Sequence, residues 1–330
     1  MTSERKGITR WGVDRRAILP HPSEPISSWL NHVKRNHGGS VSERTVRAVS
    51  RFYFKLKFQF TTLFNKILVL NPIVPDSIEA ALTPLIDVTN NFRWIDYGQG
   101  YKWGNGENIN LTIDGIANKT INYSYIDTQF NPSLYITSPT DAGVTTYISE
   151  SPGTDYDQFN GYFFGCAEAP NPVVRQAFRF QFKYSRDWMD YPNTEAGAGN
   201  HFTNTYGGVT EAYWQRGFLS FNQSGAAVGD NSYAGFEIWK ASEFFPLFDD
   251  GYKPYGNGPV APTDTLPNLN AYFLSYNNNN SYVAAGPTRS NDRYSFLAIH
   301  KALTSGEASD FYNLIFELRV NLGGGARRNF

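Results

Sequence analysis

The sequence predicts an all-β protein built as an antiparallel sandwich or barrel, on three observations. Short apolar or alternating runs recur along the chain between turn-rich stretches, with no repeating strand–helix–strand unit. Aromatic residues make up 16% of the 330 residues, beside 29 Gly and 18 Pro, a composition of strands and turns. Alternation of apolar with other residues appears in three places. Phe52, Phe54, Leu56, Phe58 and Phe60 alternate with Arg51, Tyr53, Lys55, Lys57 and Gln59. Phe178, Phe180, Phe182 and Tyr184 alternate with Arg179, Gln181 and Lys183, and Leu314, Phe316, Leu318 and Val320 with Asn313, Glu317 and Arg319. Each run places one apolar face toward a core.

In chain order, residues 1–22 are basic and Pro-containing with little to bury, and read as an arm. A helix is expected over 23–36, where Ile26, Trp29, Leu30 and Val33 share one face, Pro25 suits the first turn and Gly38-Gly39 supplies the stop. The first strand is expected at 51–60. Asp76 or Ser77 caps a short helix with Ile78, Ala81, Leu82, Leu85 and Ile86 inward, limited by Pro84. Short strands then follow at 92–97, 110–113, 121–126, 134–137, 144–149, 173–184, 215–221, 233–240, 271–276, 293–300 and 311–320. The linkers 189–208 and 248–270 are long, and no internal repeat has a fixed period.

Charge is sorted along the chain. Residues 1–58 hold twelve Lys and Arg against four Asp and Glu, a balance of +8; residues 59–310 stand at -11 and the last twenty at +2, for a total of -1. One end can neutralise a polyanion while the body stays acidic. The candidate contacts are Arg5, Lys6, Arg10, Arg15, Arg16, Lys34, Arg35, Arg44, Arg47 and Arg51, with Arg327 and Arg328 at the far end. A lone Cys166 closes no intrachain disulfide. No apolar run has membrane-spanning length, and no apolar signal core interrupts the early arginines, which points to a chain starting near Met1 inside a cell.

Catalytic signatures are sparse. His21, His32, His37, His201 and His300 lack HExxH spacing, Cys166 lacks a nucleophile motif, and His300 reads as a satisfied structural histidine within a strand. Gly323-Gly324-Gly325 reads as a flexible tail. Asp249-Asp250-Gly251, Asp155 and Asp157 read as ordinary acidic turns, because a calcium site between subunits needs several further oxygen ligands. No cofactor is expected.

The order of a basic arm, a Phe-rich strand, a short helix, a second aromatic strand and a long loop-rich β region resembles the single jelly-roll capsid proteins of small icosahedral viruses. Residues 51–64, the helix at 77–86 and Asn91-Phe92-Arg93-Trp94-Ile95-Asp96-Tyr97 are similar to the first strand, helix and second strand of capsids from small circular single-stranded DNA viruses. The likeness spans about residues 40–130 and the last strand at 311–320. It is architectural, and the arm here is sparser in arginine than is usual for these capsids, with no run of five or more consecutive cations.

That resemblance implies an eight-stranded jelly-roll β-sandwich with extra strands in long loops and one or two short helices. The implied division is a basic arm with a short helix over 1–48, jelly-roll strands over 49–188, a loop-rich or projecting region over 189–290, closing strands over 291–322 and a basic tail over 323–330. It implies a non-enzymatic coat subunit of a virion, assembled inside the host cell. Its partners would be copies of itself, a single-stranded DNA or RNA genome, and a host receptor or surface glycan. The alternative is a carbohydrate-binding β-sandwich, lectin or adhesin, suggested by the aromatic loops 97–103, 252–255 and 272–282.

Overall fold

The computed structural model describes residues 24–98, 101–102, 109–118, 124–139, 141–150, 162–168, 176–182, 187–190, 217–223, 236–242, 266–278, 281–284 and 293–324.

The N-terminal part is helical and packed. Helix α1 (Glu24–Asn31) runs on into a wider π-type turn at His32–Asn36, as its amphipathic spacing predicts. Helix α2 (Glu43–Phe58) and the single turn α3 (Thr61–Phe64) follow. The expected first strand at 51–60 is therefore helical. Ser42 caps α2 by accepting from the Thr45 backbone N–H, Glu43 complements the positive end of the helix dipole, and Lys55 and Lys57 its negative end. Thr45, Ala48, Val49, Phe52, Tyr53 and Leu56 are buried, a helical stripe that begins six residues before the alternating run. Within that run Phe52 and Leu56 lie one turn apart on the buried side, whereas Phe54 and Phe58 lie one turn apart on the exposed side. Two helix faces that are both apolar mimic the alternation of a strand.

Strand β1 (Ile67–Asn71) precedes the one-turn helix α4 (Ile78–Ala81), capped by Ser77 as expected, and β2 (Ile86–Asp87). Then come β3 (Ile95–Gly98), β4 (Tyr101–Lys102), β5 (Ile109–Thr112), β6 (Gly115–Asn118) and β7 (Ser124–Asp127). The strand expected at 134–137 is instead a helical turn, α5 (Pro132–Tyr135), which has Pro at its start and Asn131 as its cap. Strands β8 (Ala142–Glu150), β9 (Tyr162–Glu168), β10 (Gln176–Phe182), β11 (Asp187–Asp190), β12 (Gly217–Gln223) and β13 (Phe236–Ser242) follow. The strand expected at 271–276 is broken at Leu274, where φ is 65°, into β14 (Tyr272–Phe273) and β15 (Ser275–Asn278). After β16 (Ser281–Ala284) and β17 (Arg293–His300) the chain ends in helix α6 (Ser305–Leu322).

Helix α6 replaces the expected closing strand at 311–320. Thr304 and Glu307 form a reciprocal capping box at its start, and Gly323 ends it in the left-handed region at φ 91°. Ala308, Phe311, Ile315, Leu318 and Leu322 are buried at helical spacing. Gly323 is thus a helix stop and not the first residue of a tail after a strand.

The strands form two sheets. The first has the order β13-β12-β8-β17-β1-β2, with the β5–β6 hairpin joined through β6 to β17. The second runs β11-β10-β9-β14-β7-β3-β4, with the β15–β16 hairpin attached by β15 lying parallel to β9. All other pairings are antiparallel. The architecture is a β-sandwich of mostly antiparallel sheets, carrying a helical layer on one side.

Two cores follow from this layering. Val69, Val144, Ile148, Leu219, Phe221, Leu297 and Ile299 of the first sheet meet Ile126, Phe164, Phe178, Phe180 and Phe273 of the second. On its opposite face the first sheet presents Leu70, Tyr147, Phe218, Phe296 and Ala298 to Trp29, Val33, Phe52, Leu56, Phe311, Ile315 and Leu318 of the helices. Every residue of β17 is consequently buried. Ile26, Trp29, Val33 and Ala48 belong to this second core, so residues 24–48 are part of the folded body. The basic arm with a short helix expected over 1–48 is, over residues 24–48, packed against the first sheet.

Candidate nucleic-acid interface

The exposed side of α2 concentrates positive charge. Arg44, Arg47 and Arg51 are exposed and, with Glu43, Ala48 and Asn321, line an open cleft of about 400 Å³ against the end of α6. Their positions follow from the buried stripe: once Ala48, Phe52 and Leu56 face the sheet, residues three or four away along the other side face solvent. Arg44 Nε donates to the Asn321 carbonyl at 2.8 Å, satisfying an orphan acceptor at the C-terminus of α6. Arg47 pairs with Glu43 one turn back, and Arg51 Nε and Lys55 Nζ reach the two oxygens of Glu317 at 2.8 and 2.5 Å. Five cations (Arg44, Arg47, Arg51, Lys55, Lys57) face two carboxylates (Glu43, Glu317), leaving three positive charges in excess.

The described chain ends beside this cleft at Gly324, and the second basic segment follows it in the sequence. A Cβ added at Gly323 would fall 2.8 Å from the Arg44 guanidinium nitrogens, so the end of α6 touches the start of α2. From Gly324 to Arg328 is at most about 14 Å of extended chain. Sequence alone gives no sign of that juxtaposition, because it arises from the packing of α6 against α2.

The predicted contacts divide as follows. Arg44, Arg47 and Arg51 come together on α2. Lys34 and Arg35 are exposed on the π-turn after α1, near the negative end of its dipole. Arg5, Lys6, Arg10, Arg15, Arg16, Arg327 and Arg328 lie outside the described residues, as do Asp155, Asp157 and the Asp249-Asp250-Gly251 turn. Missed in the sequence were Phe54 and Phe58, which are 57% and 60% exposed with ring centroids 4.9 Å apart. Reading residues 47, 51, 54 and 58 at helical spacing finds them on the arginine side.

The outer face of the second sheet carries a different feature. Tyr97, Tyr125 and Tyr272 stack in series, with centroids 4.9 and 4.3 Å apart. Burial and the nearby Asp127 carboxylate push up the Tyr97 hydroxyl, while burial and coupling among the tyrosines push up Tyr125. Tyr272 is raised to about 12, chiefly by burial and then by Asp127. None of the three is poised to act as a base near neutrality.

Among the described residues, the histidines His37 and His300 and the cysteine are held in inert forms. His300 is fully buried; its Nε2 meets Thr145 Oγ1 at 2.8 Å and its Nδ1 the Lys301 carbonyl at 2.8 Å. Thr145 Oγ1 also pairs with Ser220 Oγ at 2.7 Å, and Asn222 Nδ2 donates to Ser220 at 3.0 Å. Desolvation holds the His300 imidazole down at about 4, keeping it neutral, so the satisfied structural histidine expected from sequence is what the fold contains. His37, bonded to Thr83 Oγ1 at 2.9 Å, is likewise lowered to about 4 by burial and by Arg93 and His32. Cys166 is buried in β9, where desolvation raises its thiol, the opposite of an activated nucleophile. Asp96, with no exposed surface, presents both carboxylate oxygens to the sandwich core without a hydrogen bond. Among the described residues no group of three or more His, Cys, Asp or Glu is placed to hold a metal ion, and no helix is long and apolar enough to cross a membrane.

Neither a protein-family model nor a curated protein matches the chain. Among solved structures, one titled "NanB plus Optactamide" aligns with 55% of this chain at 11% identity and a TM-score of 0.34. The aligned part spans about a quarter of that longer chain (26%), and a likeness of that size carries no argument about fold or chemistry.

Proposed function

We propose that the protein is a self-assembling coat subunit, a non-enzymatic jelly-roll sandwich that packages nucleic acid, with single-stranded DNA the favoured cargo and RNA the other. The observation that carries this reading is the cationic side of α2, fixed to a rigid sandwich, with a basic segment preceding α1 and another following α6. Cations displace counterions from phosphates without reading sequence, so a packaging protein needs no base-specific motif. A rigid two-sheet block whose connections are free to vary suits packing around symmetry axes. The acidic remainder of the chain then serves the outer surface.

The test is to purify the full chain and examine it by size exclusion and negative-stain microscopy, with nuclease treatment of any particle. Closed particles holding nuclease-protected nucleic acid are expected. A monomer at high concentration, with and without added nucleic acid, contradicts the reading.

One observation favours a second reading. The stacked Tyr97, Tyr125 and Tyr272 suit a carbohydrate-binding sandwich, since ring faces pack on the apolar faces of sugars. A glycan array distinguishes the two: specific glycan binding lost in Tyr97→Ala, by a protein that forms no particles, supports the lectin.

A further inference from the structure

We infer that the exposed face of α2 is a track for single-stranded nucleic acid, in which Arg44, Arg47 and Arg51 hold backbone phosphates and Phe54 and Phe58 stack on unpaired bases. This rests on the coat reading above and deepens it by assigning the site, the strandedness of its ligand and a role to two residues outside the charge argument.

The reasoning starts from an anomaly of burial. A Phe side chain contributes on the order of 2 kcal/mol when buried, yet Phe54 and Phe58 stand more than half exposed on a helix whose opposite face has a complete core. Among the exposed large hydrophobic residues of the described chain they form a ring pair, tilted by 45° with centroids 4.9 Å apart. Their neighbours are cationic: Lys57 Nζ lies 5.7 Å from the Phe58 centroid, and Arg51 is one turn before Phe54. Such surroundings disfavour a purely apolar partner, which would have to desolvate these charges.

Positions 44, 47, 51, 54 and 58 advance by three or four residues, so they form one strip along the helix, about 21 Å from end to end. Cations occupy its N-terminal half, beside the cleft with Asn321, and rings its C-terminal half. Single-stranded ligands offer phosphates and base faces together. A duplex keeps its bases stacked inside and presents phosphates alone, so the rings add nothing to its binding. Glu317, which holds Arg51 and Lys55, leaves each guanidinium or ammonium further donors for a phosphate.

The experiment measures fluorescence anisotropy of the full chain with a labelled oligothymidine and with a duplex of equal length, across a salt series. The wild-type protein should prefer the single strand. Phe54→Ala/Phe58→Ala should weaken oligothymidine binding at least about tenfold, with the salt slope and the duplex affinity unchanged. Phe54→Leu/Phe58→Leu, which keeps apolar bulk and loses the π faces, should bind as weakly as the Ala pair. Arg47→Gln/Arg51→Gln should weaken both ligands and reduce the single-strand salt slope by about 1.4. Circular dichroism checks that each variant is folded, as expected for exposed positions.

The inference is overturned if the Ala pair binds oligothymidine as tightly as the wild type, or if the Leu pair restores binding. It is equally overturned if the Ala pair loses particle formation while oligothymidine affinity is retained, which makes the rings a contact between copies of the chain. In each case the coat reading stands as long as wild-type particles protect nucleic acid. If the wild-type chain neither assembles nor binds either ligand, both fail together.

Discussion

The two sheets of the sandwich live in different surroundings. The first is covered on both faces, by the second sheet and by helices α1, α2 and α6, so that β17 is buried at every residue and β8 at all but its last. Among the described residues the second sheet has no helical cover, although Tyr125, Ala167, Arg179 and Tyr276 on its outward face are buried as well. In β3 burial alternates residue by residue, with Asp96 turned into the core and Tyr97 turned out to stack on Tyr125. The lesson is about where stability and function reside. The first sheet and its helical cover form a single block made from both ends of the chain, and the side of α2 turned away from that block carries the charge.

The sharpest way to break this contrast is to remove the cover. Deleting the residues before Glu24 should leave the fold intact, because the sequence of residues 1–22 is polar and basic with few apolar side chains to bury. Deleting through residue 48 should abolish cooperative unfolding in a denaturant titration, since it removes Trp29, Val33 and Ala48. Single truncations on the covered face, Phe52→Ala or Phe311→Ala, should each cost about 3–5 kcal/mol. A deletion through 48 that folds normally would mean that the helices merely decorate the sandwich.

Acid should act on the covered sheet next. The unfolded chain binds a proton on His300 at its ordinary value near 6.5, whereas the folded chain resists until about 4. Stability is therefore fully present above about 6.5, falls as pH drops between those values, and is level below. The span corresponds to as much as about 3 kcal/mol, with His37 adding to the same window. Denaturant midpoints measured across that range should fall in the wild type and fall less in His300→Gln.

The inter-sheet core contains the third target. Asp96 is buried without a partner, and such a group costs more than an apolar one of similar size. Asp96→Leu should raise stability by about 1–2 kcal/mol in the same titration. A loss of stability would show that the carboxylate has a structural role. The smallest effect is on the surface: Glu317→Gln should change stability by less than about 1 kcal/mol while strengthening oligonucleotide binding, because Arg51 and Lys55 lose their counter-charge.

The strands legible in the sequence were those with unambiguous length and chemistry. The run 293–300 coincides with β17, 144–149 lies within β8, and 215–221 and 173–184 overlap β12 and β10. The helix over 23–36 and the cap at Ser77 were legible too, because capping residues and helical spacing agreed there. What misled was the alternation at 51–60 and 311–320. In α2 the period-two pattern comes from a buried pair, Phe52 and Leu56, and an exposed aromatic pair, Phe54 and Phe58, the latter a surface feature that has no packing reason. In α6, Tyr312, Leu314 and Arg319 are buried beside the helical stripe, because the helix lies against both the sheet and α2, and this broadens its apolar face until it resembles a strand. Of the candidate site, the arginines were legible as charge. Their grouping with Asn321 and the end of α6 depends on a contact between residues 44 and 321 that no local pattern encodes.

Electron cryomicroscopy of the purified full-length protein tests the central claim most directly. The account predicts closed shells in which the α2 side bearing Arg44, Arg47 and Arg51 faces the lumen and lies against density for nucleic acid. Solitary molecules, or shells with that face of α2 turned outward and bare, would contradict it.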